Sequence, residues 1–594
     1  MKATKWLIGM SVLIVLALIV FSFLHNTSTK YLSKHRSTGK VAQTQSVIDP
    51  NYAQPYRDQY HYSAKKTWLN DPNGLIYSNG TYHMFYQTNP QGNTWGNMSW
   101  GHAESSDLIH WKEQPVAIPQ REETPWVDFW MQTSHDSKPV HYYGLPTTNG
   151  DAGNPNGKRF VFSGSIIKDT KNAAGLGKNT LIAFYTSAYS VAVRDDDYSK
   201  DSMGNFLGLR DVQEQCIAYS KDDGKTFIPY KKNPVIAAQA VPTRDPANFR
   251  DPKIVYDEAH KQWVMILAAG QEADIYTSAD LIHWTYRSAI IREHDVGNGA
   301  WECPELIPMT IEGTKEKKWV FSISVQKGAP AGGSGMQYFV GTFNGKEFVP
   351  DTAQTLSHPK WLDYGEDLYA GVTFSNMKRT VMLSWMSNWD YVGEQKTSPW
   401  KGEMSLPREL TLVRAGKDAV LIQRPARELA QLIQNPFKMS DLKLSGTKAI
   451  KQFSGRQYKA EAQFSWNAKN RPDQVGLRLR VSQDHSKYIT AGYDVRNHSV
   501  SIDQSNSGGK SNRNQKTNVQ LNEKAGRIKL TAYVDSSSIE LFVNDGEKTL
   551  TQIIYPNPDQ PLDSKGIALF STGGTAQISQ FEVDPIASIW NNLD

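Results

Sequence analysis

Three carboxylates in this sequence have neighbours that could suit them to acid–base or nucleophilic chemistry. Asp71 lies in the stretch WLNDPNGL, Asp251 in NFRDPKI and Glu302 in AWECPEL. Each precedes a proline by one or two positions, where the backbone is stiff, and each has aromatic neighbours that could exclude water from a carboxyl group. Taken singly, each fits ordinary turn chemistry better than catalysis. Three such sites along one chain favour a shared site.

The first of these stretches is also strongly turn-forming. Residues 70–74 read Asn-Asp-Pro-Asn-Gly, a combination typical of turns. We therefore expect a tight turn through Pro72, Asn73 and Gly74 that aims the side chain of Asp71.

The elements that would carry these residues are predicted to be strands. From about residue 60 to 425 the chain is a series of short apolar and β-branched runs cut by Gly, Pro, Asn and Asp, and helical periodicity is rare. The clearest runs are Thr81–Gln87, Thr180–Thr186, Gln262–Ala268, Lys318–Val325 and Thr380–Trp385.

An internal repeat indicates how these strands are arranged. Ser105–Trp111 reads SSDLIHW and Ser278–Trp284 reads SADLIHW, with a degenerate copy, SKDDGKTF, at Ser220–Phe227. The copies begin 115 and 58 residues apart, which fits two units and one unit of the same length. Such a repeat predicts a β-propeller or similar radial array of five or six units. Because the innermost strands of a propeller converge on one axis, distant carboxylates could meet there. His110 and His283 belong to the repeat, so we expect them to be structural.

Residues 120–158 interrupt the pattern. This segment contains Trp126 and Trp130 and ends in a Gly/Asn/Pro-rich stretch, and we interpret it as a long loop inserted into one unit. It could overhang a binding pocket and add aromatic contacts. Equally, it could be a surface decoration or form an oligomer contact.

A different pattern begins near residue 440. Runs such as Gly476–Val481 and Ile539–Val543 alternate apolar and polar residues up to about residue 586, which is typical of a β-sandwich. Leu421–Gln434 is the best helical candidate and a plausible connector.

The N-terminus predicts export. Lys2 and Lys5 precede Trp6–Leu24, which carries no charge and nearly reaches the ~20 residues that span a bilayer. An uncleaved signal anchor is preferred over a cleaved signal peptide, and a polar linker follows. The predicted divisions are 1–24 signal anchor or signal peptide, 25–55 linker, 56–425 propeller, 426–440 linker helix and 441–594 sandwich.

Composition and residue spacing argue against several kinds of partner and cofactor. The net charge is +5, from 65 basic and 60 acidic residues, so no nucleic-acid partner is expected. No His, Cys or acidic cluster has metal-ligand spacing, and neither a metal nor a cofactor is predicted. Cys216 and Cys303 are the only two cysteines; one bridge or two buried thiols are equally compatible. The oligomeric state stays open.

Taken in order, WLNDPNGL, FRDP and ECPEL resemble the signature blocks of glycoside hydrolase family 32, the β-fructosidases. Further segments are similar to that family: Phe162–Ser165, Gly332–Gly345, Trp361–Asn376, Trp385–Leu410 and Ser538–Gly546. The resemblance spans about residues 60–585. It implies an all-β chain with a five-bladed β-propeller followed by a β-sandwich.

The resemblance also implies roles for individual residues. Asp71 would be the nucleophile, Glu302 the general acid/base, and Asp251 the residue that, with Arg250, binds fructose hydroxyls and stabilises the transition state. Positions where the family lines the sugar pocket are Asn70, Gln87, Trp95, Ser163, Arg250, Asp367 and Trp389. Trp95 and Trp389 could equally be core aromatics.

In a retaining glycosidase the two carboxyl groups lie about 5–5.5 Å apart. Glu302 must then carry a proton, which we expect Trp301 and Asp251 to favour, whereas Asp71 must stay ionised, helped by donors such as Asn70. The leading hypothesis is an extracellular or cell-surface exo-acting hydrolase of levan or inulin. Alternatives are an invertase acting on sucrose, a fructosyltransferase using the same residues, and a non-catalytic fructan-binding protein.

Overall fold

The computed structural model of the protein describes residues 48–121, 127–131, 140–144, 159–194, 206–240, 245–292, 299–351, 356, 358–509 and 516–591. The segment predicted to be a signal anchor lies outside them, as does Trp126. Among the residues described, no helix is long and apolar enough to cross a membrane.

The N-terminal part of the described chain is a five-bladed β-propeller, as the family resemblance implied. Its strands are β1 (Trp68–Ser78), β2 (Thr81–Asn89), β3 (Ser99–Ser105), β4 (Lys112–Ile118), β5 (Val127–Met131), β6 (Val140–Gly144), β7 (Phe160–Asp169), β8 (Thr180–Arg194), β9 (Phe206–Ser220), β10 (Ile228–Pro229), β11 (Phe249–Asp257), β12 (Gln262–Ala269), β13 (Glu272–Ser278), β14 (Thr285–Ile291), β15 (Trp301–Thr310), β16 (Lys317–Val325), β17 (Gly335–Phe343), β18 (Phe348–Pro350), β19 (Lys360–Trp361), β20 (Tyr369–Thr373), β21 (Val381–Trp385), β22 (Arg408–Ala415) and β23 (Asp418–Pro425).

The blades are antiparallel sheets in sequence order. The first is β1–β4, the third β11–β14, the fourth β15–β18 with β19 beside β17, and the fifth β20–β23. The second is built on β7–β10, with β6 and β5 added along β8. The five apolar runs singled out in the sequence fall on β2, β8, β12, β16 and β21, the second strand of each blade, where burial from both faces produces continuous apolar runs.

The innermost strand of every blade carries a β-bulge at the same place. At this place the inner strand has one residue more than the neighbouring strand with which it pairs. The paired residues that flank the bulge are Leu69 and Pro72 in β1, Phe162 and Gly164 in β7, Arg250 and Lys253 in β11, Glu302 and Glu305 in β15, and Tyr369 and Val372 in β20. Because a bulge bends its strand and re-aims a side chain, five equivalent bulges around one axis direct five sets of side chains toward a common point.

The tight turn expected at Pro72–Gly74 does not form. These residues belong to β1, which runs unbroken through two bulges, the second between Asn73 and Ile76. Gly74 adopts a left-handed φ of 49°, and a Cβ there would lie 2.8 Å from the side chain of Ile166. The turn-forming residues therefore supply the irregular conformation of the bulges without reversing the chain.

The repeated motif is confirmed as the connection between the third and fourth strands of a blade. In the first blade, Asp107 accepts hydrogen bonds from the backbone N–H groups of Ile109 and His110 and contacts His110 Nδ1 at 2.8 Å. Asp280 makes the same contacts in the third blade, with His283 Nδ1 at 2.7 Å. The degenerate copy makes this connection in the second blade. These histidines hold the loop, as expected.

The interrupting segment is partly a hairpin. Strands β5 and β6 pair with each other, and β6 continues the second blade by pairing His141 with Arg194 of β8. Trp130 on β5 is 42% exposed and stacks on His141 with ring centroids 4.5 Å apart. A long inserted loop was expected, and the described part is instead an extension of the sheet.

The C-terminal part is the predicted sandwich. Its strands are β24 (Phe437–Ala449), β25 (Tyr458–Ser465), β26 (Gln474–Val481), β27 (Ile489–Asp494), β28 (Ser499–Asp503), β29 (Lys516–Gln520), β30 (Arg527–Val534), β31 (Ser538–Val543), β32 (Lys548–Ile553) and β33 (Gly566–Pro585). The long β33 pairs with β26 near its start and with β25 near its end, and so joins the two halves of the sheet. Alternate residues of these strands form one apolar core.

The predicted linker helix is shorter than expected, and residues 25–47 of the other predicted linker lie outside the described part of the chain. Leu421 lies in β23, and the helical part of the connector is a 3-10 helix confined to Arg427–Leu432. The other described helical turns are 3-10 helices at Pro50–Tyr52, Ala238–Ala240, Val392–Glu394 and Ala468–Asn470. Tyr52, which belongs to the predicted polar linker, is buried and stacks on Trp590 with ring centroids 4.0 Å apart. This aromatic pair ties the segment to the C-terminal end of the sandwich.

Candidate active site

The bulges of the first four blades converge on one cavity of about 440 Å³, and the fifth blade adds Trp389. All five blades contribute to its wall. The lining residues are Asn70, Asp71, Gln87, Trp95, Met98, Phe160, Phe162, Ser163, Ala188, Tyr189, Ser190, Asp211, Gln213, Ala247, Asn248, Arg250, Asp251, Glu302, Gln326 and Trp389. The three carboxylates chosen from the sequence are thus brought together from blades one, three and four.

Asp71 is held by neutral donors on both oxygens. Asn70 Nδ2 donates to Oδ1 at 3.0 Å, and Ser163 Oγ donates to Oδ2 at 2.6 Å. Asn70 is itself fixed, because its Oδ1 accepts a 2.6 Å hydrogen bond from Trp68 Nε1. This arrangement orients the carboxylate without placing a cation against it.

Asp251 occupies the bulge of β11 with a left-handed φ of 65°. Its backbone N–H donates to Thr186 Oγ1 at 3.0 Å, and its Oδ2 accepts the backbone N–H of Cys303 at 3.0 Å. The thiol of Cys303 lies 3.6 Å from Asp71 Oδ2 and 3.8 Å from Asp251 Oδ2. Cys303 therefore links the two aspartates, and both it and Cys216 are free and buried.

Glu302 has charged and phenolic donors instead. Arg250 Nη2 lies 3.0 Å and Arg250 Nε 3.2 Å from its Oε1, and the hydroxyl of Tyr369 donates a short hydrogen bond to its Oε2. Contrary to our expectation, Trp301 does not exclude water from this carboxyl group. Because successive side chains of a strand point to opposite faces, Trp301 points into the core of the propeller, where it packs against Phe321.

Burial and mutual repulsion keep protons in this cluster. Burial, followed by the charge of Glu302, raises the pKa of Asp71 to about 6, against the hydrogen bonds from Ser163 and Asn70. Burial raises the pKa of Asp251 to about 7, although the nearby guanidinium of Arg250 lowers it. Carboxyl groups so close together cannot all ionise easily, and the cavity can therefore hold a proton near neutral pH.

Residues 61–151 and 128–425 match the glycosyl hydrolases family 32 N-terminal domain, and residues 428–585 match the family 32 C-terminal domain. The chain belongs to glycoside hydrolase family 32. Two curated relatives are each 35% identical over 91% of this chain: a levanase of Bacillus subtilis, of which 72% is covered, and an extracellular exo-inulinase of Aspergillus awamori, of which 96% is covered.

Solved structures agree with this assignment of the fold. The crystal structure of exo-inulinase from Aspergillus awamori superposes with a TM-score of 0.76 at 34% identity, covering 91% of this chain and all of that one. A fructofuranosidase from Schwanniomyces occidentalis complexed with fructose gives a TM-score of 0.72 at 27% identity and covers 90% of this chain.

In this family 32 protein, nearly all the predicted binding residues line the cavity. They are Asn70, Gln87, Trp95, Ser163, Arg250 and Trp389. Trp389 also packs against Trp68 and Trp385, and Trp95 against Phe160, so these two indoles belong to both the cavity wall and the core. The prediction for Asp367 needs correction. It is fully buried, its Oδ2 accepts the backbone N–H of Ile553 at 2.7 Å, and it lies where its loop meets β32.

Sequence reasoning missed several residues of the site. Tyr369 contacts Glu302, and Asn248 and Gln213 support Arg250, whose Nη1 lies 2.9 Å from Asn248 Oδ1 and 3.3 Å from Gln213 Oε1. Asn248 and Tyr369 stand within or beside recognised motifs and could have been found from their position. Gln213 comes from β9, outside any motif, and carried no signal.

Proposed function

We propose that this protein is a retaining exo-β-fructosidase that releases fructose from levan or inulin. The observation that carries the proposal is that Asp71 and Glu302 line one cavity and have different hydrogen-bond partners. Neutral donors orient Asp71, while an arginine and a tyrosine hold Glu302. Two carboxyl groups with different environments are what an acid–nucleophile pair requires.

In the first step, Asp71 attacks the anomeric carbon of a terminal fructosyl unit. Its carboxylate oxygen forms a bond to that carbon while the glycosidic C–O bond breaks, and Glu302 gives its proton to the departing oxygen. The products are a fructosyl ester of Asp71 and the shortened chain.

In the second step, Glu302, now ionised, removes a proton from water. The water oxygen bonds to the anomeric carbon, and the ester bond to Asp71 breaks. This releases fructose, leaves Asp71 ionised and returns the proton to Glu302. We assign Asp251 and Arg250 to the fructose hydroxyls, because contacts that tighten as the ring flattens stabilise the transition state selectively.

The shape of the cavity supports action at a chain end. All five blades contribute to its wall, so the terminal sugar enters a pocket closed around the propeller axis. Levan and inulin are polymers that do not cross a membrane. The uncharged stretch Trp6–Leu24 suits export, and we infer that the protein acts outside the cell.

The decisive experiment measures free fructose from levan, inulin and sucrose side by side, with Asp71→Asn as the matched inactive control. Fructose should appear as the first and main product from at least one polymer, without short fructan oligomers. Absence of fructose from all three substrates would refute the enzyme proposal, and faster release from sucrose than from both polymers would identify an invertase. Added methanol should yield methyl β-fructofuranoside if the configuration is retained.

A further inference from the structure

Two histidines and a glutamate form a cluster far from the catalytic carboxylates. His83 lies on β2, and His102 and Glu104 lie on β3. His83 pairs directly with Glu104 across the two strands, and Phe85 pairs with His102, so all three side chains project from the same face of the first blade. The cluster is near the turn that joins β1 and β2, whereas Gln87, which lines the catalytic cavity, is near the other end of β2.

The three potential ligand atoms form a compact triangle. His83 Nδ1 lies 3.2 Å from His102 Nε2, Glu104 Oε1 lies 3.6 Å from His83 Nδ1, and Glu104 Oε1 lies 3.9 Å from His102 Nε2. An ion with bonds of about 2.1 Å in tetrahedral geometry separates its ligand atoms by roughly 3.4 Å. The triangle is thus already close to the size that three ligands around one such ion require.

Both imidazole rings are buried, and an imidazole without the extra proton has one nitrogen lone pair to offer a cation. The charged groups nearby are Glu104, Asp223 and Lys168.

The outer nitrogen of His83 supplies a second, independent observation. Within the described part of the chain, His83 Nε2 is buried without a hydrogen-bond partner, and Asp223 Oδ2 lies 3.9 Å away. Asp223 belongs to the loop of the second blade and is held by a 2.6 Å hydrogen bond from Ser78 Oγ. Histidines that bind metals usually donate their other N–H group to a carboxylate, and Asp223 is placed to accept it after a small movement.

We propose that His83 Nδ1, His102 Nε2 and Glu104 Oε1 bind one divalent transition-metal ion, for which zinc is the best match. Two imidazoles and one carboxylate are a familiar zinc ligand set, with a fourth position left for water. The spacing of these residues in the sequence does not indicate a metal site, because the pairing of β2 with β3, and not a short motif, brings the ligands together.

The expected role of the ion is to stabilise the contact between the first two blades. Gly224, next to Asp223, faces the first blade, since a Cβ at this position would lie 3.4 Å from His83 Nδ1 and 3.5 Å from the ring of Phe85. An ion held by the first blade would order His83, and through Asp223 the loop of the second blade. Because the cluster lies at the opposite end of β2 from the catalytic cavity, metal should change stability and leave turnover unchanged.

The test uses the full chain without a histidine tag, stripped of metal by a chelating resin and titrated with zinc chloride by calorimetry. One equivalent should bind to the wild-type protein, and the Tm should rise with zinc. His102→Gln should abolish this binding, and Glu104→Gln should weaken it at least about 10-fold. His110→Gln, which alters an exposed histidine held by Asp107, is the matched control and should bind zinc as the wild type does.

Glu104 has a partly exposed side chain, so its variant keeps the proposal testable if His102→Gln does not fold. Hydrolysis of fructan by the stripped and zinc-loaded proteins, measured in parallel, should be equal. Failure of the wild type to bind zinc, or equal zinc affinity in the wild type and Glu104→Gln, would overturn the proposal and leave the two histidines as a hydrogen-bonded pair only.

Discussion

Ser163, at the bulge of the second blade, donates a 2.6 Å hydrogen bond to Asp71, at the bulge of the first. Neighbouring blades thus cooperate on the group that we assign as nucleophile. The bond lowers the pKa of Asp71 against the larger effect of burial, and so favours the ionised form that attack requires.

Ser163→Ala should raise the pKa of Asp71 further and shift the acid limb of kcat/KM to higher pH. Loss of a hydrogen bond to a charged group costs about 1.5–3 kcal/mol, so the rate at neutral pH should fall roughly 10- to 100-fold. The measurement is a pH profile of fructose release. Ser165→Ala is the control, since Ser165 hydrogen-bonds to the carbonyl of Pro252, and an equal shift in that variant would disprove the specific role of Ser163.

Asp71→Asn should stabilise the fold at neutral pH while abolishing turnover. The raised pKa of about 6 means that the folded protein binds more protons than the unfolded chain between about pH 4 and pH 6, so stability falls as pH rises through this window. Above pH 6 the ionised carboxylate costs up to about 3 kcal/mol, which asparagine removes. Thermal unfolding should show a higher Tm for the variant at pH 7 and equal values below about pH 4.

Asp280→Asn should change the stability at neutral pH in the opposite direction to Asp71→Asn. Burial raises the pKa of Asp280, but hydrogen bonds from His283, Ile282 and Ser278 together outweigh it and lower the pKa to about 2. Its ionised form therefore stabilises the turn at neutral pH, and the variant should be less stable than the wild type there. The two proteins should converge as pH falls through about 2. The same sign for both variants would contradict the linkage argument.

Glu302→Gln should slow hydrolysis according to the leaving group. Without an acid, expulsion of a sugar alkoxide should fall about 10²- to 10⁴-fold, whereas an aryl fructoside, whose leaving group needs less help, should lose far less in its first step. Single-turnover release of the phenol separates this step from hydrolysis of the ester. A uniform loss on both substrates would argue against Glu302 as the acid.

Arg408→Met should destabilise the junction between the propeller and the sandwich. Arg408 is fully buried and donates to Glu540 at 2.9 Å through Nε and to Asp363 at 3.0 Å through Nη1. Removing one partner of a buried pair typically costs about 3–5 kcal/mol. Denaturant unfolding measures this, and Arg414→Met, which breaks an exposed pair with Glu316, should cost less than about 1 kcal/mol.

Trp130→Ala should test whether the added hairpin contacts long substrates. Trp130 is exposed on β5, and β6 beside it continues the sheet of β8, the strand that contributes Ala188 and Ser190 to the cavity. We expect KM to rise for levan or inulin and to stay constant for sucrose. Unchanged values for all three substrates would assign the hairpin to surface decoration.

The strand order of the propeller was largely accessible from the sequence because local patterns encode it. The buried second strand of each blade gives a continuous apolar run, and the Ser–Asp loop motif marks the same connection in three blades. The three carboxylates were recognisable because a proline follows each. Alternation of apolar residues likewise revealed the sandwich.

What the sequence did not reveal depends on relationships between distant strands. Gln213 supports Arg250 across two blades, and Trp301 turns away from Glu302 only because of the pleat of β15. Asp367 sits in a segment similar to the family pattern, yet its Oδ2 accepts a hydrogen bond from the backbone of β32. Turn propensity in residues 70–74 was real, but pairing with β2 converted it into bulges.

The five bulges have a consequence for how such a protein can change over generations. Asp71, Ser163 and Asp251 lie inside bulges and have no paired neighbour on the adjacent strand, so exchanging such a side chain leaves the ladders on either side intact. Part of the pocket chemistry is thereby placed on residues that the strand pairing does not use. Each blade offers one site where a new specificity can be tried independently of the other four, which makes this architecture well suited to diversification by single substitutions.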